Sequence, residues 1–144
     1  MDDQELRRFR KLLKKNNYFN TRPRYRLFLI LQKYPVLSIN ELIAKLPQHD
    51  QTTVYRNMDL FEKLGIITRI RLGWNTKIEL SDVFVHHHHH FTCLKCLRVI
   101  NLAEDKTIER RINKLGDGLG LKISDHQLEI RGLCNKCQQL KTPS

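Results

Sequence analysis

Three features of the 144-residue sequence predict an α+β chain built in two parts. The first half sets helix-spaced apolar residues between helix caps and stops, then switches to strand-like alternation. The second half holds all four cysteines, as two Cys-x-x-Cys pairs, and six of the seven histidines. Charge is divided in the same way: residues 1–80 carry 16 Lys and Arg against 8 Asp and Glu, whereas residues 81–144 carry 10 against 7. A basic first half suits a polyanionic partner, and a half rich in thiols and imidazoles suits a metal. Each half alone would bury only a modest core, so a metal staple or an oligomer interface is expected.

In chain order, residues 4–16 read as a short basic helix with Leu6, Phe9 and Leu13 at helical spacing, ended by Asn16-Asn17. Thr21 is an N-cap for a second helix over residues 22–33, which tolerates Pro23 in its first turn, places Tyr25, Phe28 and Leu29 on one face and stops at Pro35. Ser38-Ile39-Asn40-Glu41 is a capping box opening a third helix with Ile39, Leu42, Ile43 and Leu46 inward, closed by Pro47. A fourth helix over residues 51–64, stopped by Gly65, buries Val54, Met58, Phe61 and Leu64 and leaves Thr52, Tyr55, Arg56, Asp59 and Lys63 on the other face. Residues 66–72 and 76–80 read as two strands about a Gly73-Trp74-Asn75 turn. Helices followed by a β-hairpin form a winged helix-turn-helix, here residues 1–80. The hydroxyl, phenol and guanidinium of Thr52, Tyr55 and Arg56 can touch phosphates and base edges in a major groove. An ordinary amphipathic surface helix would carry similar residues.

Residues 81–85 read as a hinge and residues 86–144 as a second domain. Side chains alternate along a strand, so His86, His88 and His90 would face one way and His87 and His89 the other. One strand could then serve two metal sites. A surface cluster with no role is the bland alternative, opposed by the repulsion among rings that protonate near pH ~6.5. A strand over residues 97–102 follows, then a helix over residues 104–115 with Ile108, Ile112 and Leu115 inward, broken by the glycines of residues 116–120. Residues 121–124 and 127–130 alternate around Ser124-Asp125-His126 as a hairpin, and residues 138–144 are expected to fray.

Cys93, Cys96, Cys134 and Cys137 use every cysteine in the chain. Two such pairs make a four-thiolate set for one tetrahedral Zn²⁺ with sulfurs at ~2.3 Å, and the 37 residues between them leave room for a small subdomain. Two disulfides or a redox dithiol are the alternatives. The start of the chain does not resemble a secretory leader, so a reducing cytoplasm and a shared structural zinc are expected. The longest apolar run, residues 27–31, is too short to cross a membrane.

Thr52-Thr53-Val54-Tyr55-Arg56, Ile78-Glu79-Leu80, residues 86–96, Asp125-His126 and Cys134-x-x-Cys137 together resemble the ferric uptake regulator (Fur) family of metal-dependent repressors over nearly the whole chain. The resemblance implies an N-terminal winged helix, a small C-terminal α/β dimerisation domain with the four-cysteine zinc site, and a homodimer. It implies structural zinc on the four cysteines, a regulatory site of Glu79, His88 and His90 at the hinge, and a second site of His87, His89, Glu109 and His126. The expected function is a metal-sensing, DNA-binding repressor of metal-homeostasis genes. Its regulatory ion would be Zn²⁺ or Fe²⁺, with Mn²⁺ as a further candidate. Its operator would be palindromic and A·T-rich, contacted by Tyr55 and Arg56 and secondarily by Thr52 and Arg24. Three departures stand out. The family run is typically His-His-His-Asp-His, and His89 replaces the carboxylate, which favours a nitrogen-preferring metal. The loop of residues 33–37 has no good regulatory ligand, leaving water, His49 or another residue for that role. Leu97 replaces the usual glycine after the first cysteine pair. Rival readings are a peroxide sensor of the same family, a metal-buffering module without sequence-specific DNA binding, and a metallohydrolase. The hydrolase is disfavoured because no nucleophile motif, Gly-rich loop or His-Glu-x-x-His accompanies the histidines.

Overall fold

The computed structural model describes residues 3–72, 75–85, 87–124 and 126–139. The chain divides into two compact units, Met1–His86 and His87–Ser144. Among the described residues no helix is long and apolar enough to cross a membrane.

The first unit runs α1 (Asp3–Lys15), α2 (Arg22–Lys33), β1 (Leu37–Ser38), α3 (Ile39–Ala44), α4 (Gln51–Lys63), β2 (Ile67–Leu72) and β3 (Asn75–Leu80). Its strands form a sheet in the order β1-β3-β2, with β2 and β3 antiparallel in the register Ile67↔Leu80 to Leu72↔Asn75. The expected turn at Gly73-Trp74 lies outside the described residues. The helix pattern expected from the sequence is observed with small shifts at the ends. The third helix stops at Ala44 rather than reaching Leu46, whose amide instead bonds the Ile43 carbonyl in a turn. Thr21 occupies the cap position of α2 without a side-chain cap bond. The Ser38–Glu41 capping box is present in both directions. The two-residue β1 has no sequence signal of its own, because it forms only when Leu37 meets Ile78 across the wing.

Spacing of the apolar residues decides what this unit buries. Phe9 stacks on Phe28 (ring centroids 4.2 Å apart, interplanar angle 13°) and meets Phe61 edge-on at 5.4 Å. Val54, Met58 and Phe61, the inner stripe of α4, join the same cluster. That seats α4 firmly and leaves Thr52, Tyr55 and Arg56 exposed. The segment 81–85 belongs to this packing: Phe84 is buried and lies edge-on to Phe28 at 5.3 Å, and Arg8 Nη1 donates to the Val83 carbonyl at 2.6 Å.

The second unit runs β4 (His88–Cys93), β5 (Val99–Ala103), α5 (Lys106–Gly118), β6 (Glu129–Gly132) and the short α6 (Asn135–Gln139). β4 is the central strand of a β5-β4-β6 sheet, antiparallel to β5 and parallel to β6. Four expectations are corrected here. The expected hairpin does not form: residues 121–124 and 126–128 are irregular, and residues 129–132 pair with β4 instead, where Phe91 packs against Gly132. Asp125, at the expected turn, lies outside the described residues. The helix does not break at Gly116 but continues to Gly118. Gly116 serves as a contact point, since a Cβ there would lie 2.8 Å from Ile123 Cδ1. Leu115 does not face inward and is 70% exposed. Gln138 and Gln139 are helical in α6 rather than part of a tail, and residues 140–144 lie outside the described residues. The turn after the first cysteine pair keeps a left-handed residue, Leu97 at φ 55°, a conformation that strains a side chain with a Cβ.

Candidate metal centres and the exposed helix α4

The four cysteines converge from two ends of the second unit. Cys93 closes β4, Cys96 sits in the turn that follows, and Cys134 and Cys137 flank the start of α6. Their sulfurs all lie within 4.8 Å of one another, and none is joined in a disulfide. Cys96 Sγ and Cys134 Sγ are 3.8 Å apart. Four sulfurs at ~2.3 Å from one tetrahedral ion are ~3.8 Å apart, so the set fits zinc with little adjustment. The backbone N–H groups of Cys134 and Cys96 hold the Cys93 thiol down to about 6, so it ionises readily. Burial, reinforced by the neighbouring sulfurs, pushes Cys137 up to about 12. Four thiolates would repel one another in so small a volume, and a doubly charged ion could be held by this donor set.

A second constellation gathers on one face of β4. His87, His89, Glu109 and His126 offer donor atoms within 4.8 Å of one another. Glu109 reaches them from the first turn of α5, whose N-cap is Asp105. Its Oε1 lies 2.9 Å from His89 Nε2 and 3.6 Å from His87 Nε2, and its Oε2 lies 3.3 Å from His126 Nε2. Nitrogen and oxygen ligands at ~2.0–2.1 Å from a tetrahedral ion are ~3.3 Å apart, so these separations bracket that geometry. His89 is 3% exposed. His126 Nε2 is buried yet forms no well-aligned hydrogen bond despite its nearness to Glu109. A buried ring nitrogen in that condition is suited to an ion.

The alternation of β4 turns His88 and His90 the other way, with ring centroids 4.9 Å apart. Glu79, assigned with them from the resemblance, lies in the first unit on β3 opposite Thr68. The strand-period argument therefore sorts the described histidines correctly; His86 lies outside the described residues. What the sequence did not reveal is Glu129. The parallel register places it beside His90. Thr92 Oγ1 donates to its Oε1 at 3.2 Å and Arg131 Nη2 to its Oε2 at 2.7 Å. The hydrogen bond from Arg131, aided by that from Thr92 and the charge of Arg131, holds the Glu129 carboxyl below its ordinary range although burial pushes it up.

In the first unit, Thr52, Tyr55 and Arg56 are exposed on α4, with Tyr55 42% exposed. Asp50 caps the helix by accepting from the Thr53 amide at 2.8 Å, a role the sequence reading missed although Asp before a helix is a standard signal. Arg24 is not a free cation. Its Nε donates to Asn57 Oδ1 at 3.1 Å and its Nη1 to the Phe19 carbonyl at 2.6 Å, so it ties the α1–α2 loop to α4. Arg69 on β2 pairs with Asp59 at 2.8 Å and Glu62 at 2.7 Å, tying α4 to the wing.

A winged helix joined to a unit with two metal-competent constellations defines a class: metal-responsive transcription regulators. The chain belongs to the ferric uptake regulator family, whose model matches residues 15–131. The ferric uptake regulation protein of Klebsiella pneumoniae is 31% identical over 141 residues, covering 92% of this chain and 89% of its own length. The crystal structure of the Vibrio cholerae ferric uptake regulator matches with a TM-score of 0.72 at 31% identity, covering 87% of this chain and 98% of that one. The Helicobacter pylori regulator, whose structure is described as revealing three functional metal binding sites, matches with a TM-score of 0.81 at 26% identity over 97% of this chain and 95% of that one.

Proposed function

We propose that the chain is a homodimeric, metal-dependent repressor that binds a palindromic, A·T-rich DNA operator when a regulatory divalent ion, Zn²⁺ or Fe²⁺ with Mn²⁺ as a further candidate, is present. The observation that carries this reading is the two-faced β4. His87 and His89 join Glu109 and His126 on one side, and His88 and His90 pair on the other. With the cysteine set this makes three candidate sites, the number described for the Helicobacter pylori relative. The cysteines hold structural zinc. His87, His89, Glu109 and His126 hold a second ion. His88 and His90, with Glu79, hold the regulatory ion. Biasing a two-state equilibrium by metal binding needs only a few kcal/mol of differential affinity.

The DNA-binding half is supported by its basic surplus and by the exposed groups of α4. Tyr55 and Arg56 contact DNA, with Thr52 at the helix start. Arg24 acts as a positioning residue through its bonds to Phe19 and Asn57. Dimerisation is supported by the second unit's exposed apolar residues, Ile100, Leu115, Leu119, Leu121 and Ile130, which a second copy would cover. The test is a mobility shift on a palindromic A·T-rich duplex with and without Zn²⁺, Fe²⁺ or Mn²⁺. Retardation should require one of these ions and should be lost in Arg56→Ala. Binding that is indifferent to every ion overturns the proposal.

A further inference from the structure

We propose that the carboxylate of Glu129 is a ligand completing the divalent-ion site of His88 and His90, and that Arg131 competes with the ion for it. The inference rests on the reading of those two histidines as ligands. It starts from register. β6 runs parallel to β4 with His90↔Glu129 and Thr92↔Arg131 as neighbours. Residues 88, 90 and 92 share one face of β4, and in-register partners share that face, with Cβ atoms about 4.5–5.5 Å apart. The Thr92–Glu129 hydrogen bond at 3.2 Å shows that the carboxylate lies on this side. A glutamate has the length and rotatable bonds to swing from Thr92 toward the neighbouring imidazoles.

The other side of β4 offers no equivalent. β5 presents Asn101 opposite His90 and Ala103 opposite His88, neither of them charged. Charge argues the same way. Two neutral imidazoles leave the charge of a divalent ion uncompensated, and a carboxylate on the same face reduces it. In this structure Glu129 is engaged by Arg131 at 2.7 Å, and Arg131 is 54% exposed. An ion pair that open to solvent is weak, so a divalent cation can displace the guanidinium.

The experiment is a Co²⁺ titration by calorimetry on the full chain with zinc already in the cysteine site, where two exchangeable equivalents are expected. Glu129→Gln should weaken one equivalent roughly tenfold or more and leave the other unchanged. Arg131→Ala, a change at an exposed position that leaves the fold intact, should tighten that same equivalent several-fold. The tightening should vanish in the Glu129→Gln background, since it acts through the freed carboxylate. His90→Ala is the control and should abolish the equivalent. If His90→Ala abolishes it while Glu129→Gln and Arg131→Ala change nothing, the role of Glu129 is refuted and the histidine site stands. If His90→Ala itself leaves both equivalents intact, the underlying reading fails as well.

Discussion

Stripping the metal from the four-cysteine set should unfold the second unit and leave the first one standing. The asymmetry follows from what each unit buries. Among the described residues, the first unit's core cluster contains seventeen buried apolar side chains, including Phe9, Phe28, Phe61 and Met58. At ~1.5–3 kcal/mol for each fully buried side chain, that is on the order of 25–50 kcal/mol of gross driving force before chain entropy is subtracted. Among the described residues, the second unit's buried apolar cluster consists of Cys93, Cys134 and Cys137, with Phe91 packed against them. Several of its large apolar residues, Leu115, Leu119 and Leu121 among them, are exposed. The first cysteine turn meets the segment leading into α6 through the Cys134 N–H to Cys93 Sγ hydrogen bond at 3.4 Å and the Leu94 N–H to Gly132 carbonyl bond at 2.8 Å, and a shared ion would add four more links. Structural zinc in small cysteine sites binds with roughly 10–16 kcal/mol, comparable to the whole stability of a typical domain, so removing it should unfold a unit with so small a core. The assay is an amide NMR spectrum of the zinc-loaded chain before and after a strong chelator, and of Cys137→Ser, at two protein concentrations to separate dimer contacts from metal. Amides of β4, β5, α5 and β6 should collapse to unfolded positions while those of α1 to β3 stay dispersed. A second unit that keeps its dispersion in dilute, metal-free solution would refute the reasoning.

Other perturbations have defined outcomes. Glu109→Ala removes the carboxylate on which three imidazoles converge, so one metal equivalent should weaken at least ~10–100-fold while the cysteine-bound zinc stays, as elemental analysis after dialysis would reveal. Hydrogen bonds from the Ser38 side chain and backbone hold the Glu41 carboxyl at about 2 against an ordinary 4.5. A depressed carboxyl stabilises the fold above its unfolded value and loses that contribution as pH falls from about 4.5 toward 2. Its side chain is 53% exposed, so the contribution is modest, ~0.5–1 kcal/mol, and the melting-temperature gap between the native chain and Glu41→Gln should be open at pH 6 and closed near pH 2. Leu97→Gly removes a Cβ from a left-handed residue at φ 55° and should stabilise the zinc-loaded second unit by ~1 kcal/mol in a denaturant titration; destabilisation would show that the leucine side chain outweighs the strain.

Much of the architecture was legible in the residues because it is set by local periodicity. Helix spacing gave α1 to α4, the Ser38–Glu41 pair gave a cap, and the period of two along β4 separated His87 and His89 from His88 and His90. The paired Cys-x-x-Cys spacing gave a four-sulfur set without any tertiary information. Side-chain direction within one helix or strand depends only on neighbours in sequence, so a pattern of residue types is sufficient to read it. Which strand lies beside which is a different kind of question. Residues 127–130 look like the return of a hairpin, yet residues 129–132 leave that partner and align with β4, and only this choice brings Glu129 alongside His90. Arg24 is expected as a secondary operator contact, and packing engages it with Phe19 and Asn57. Gly116 reads as a helix breaker until Ile123 packs against it. In each case the outcome was decided by a partner distant along the chain, through hydrogen-bond pairing or close contact, and such partners leave no periodic trace in the sequence.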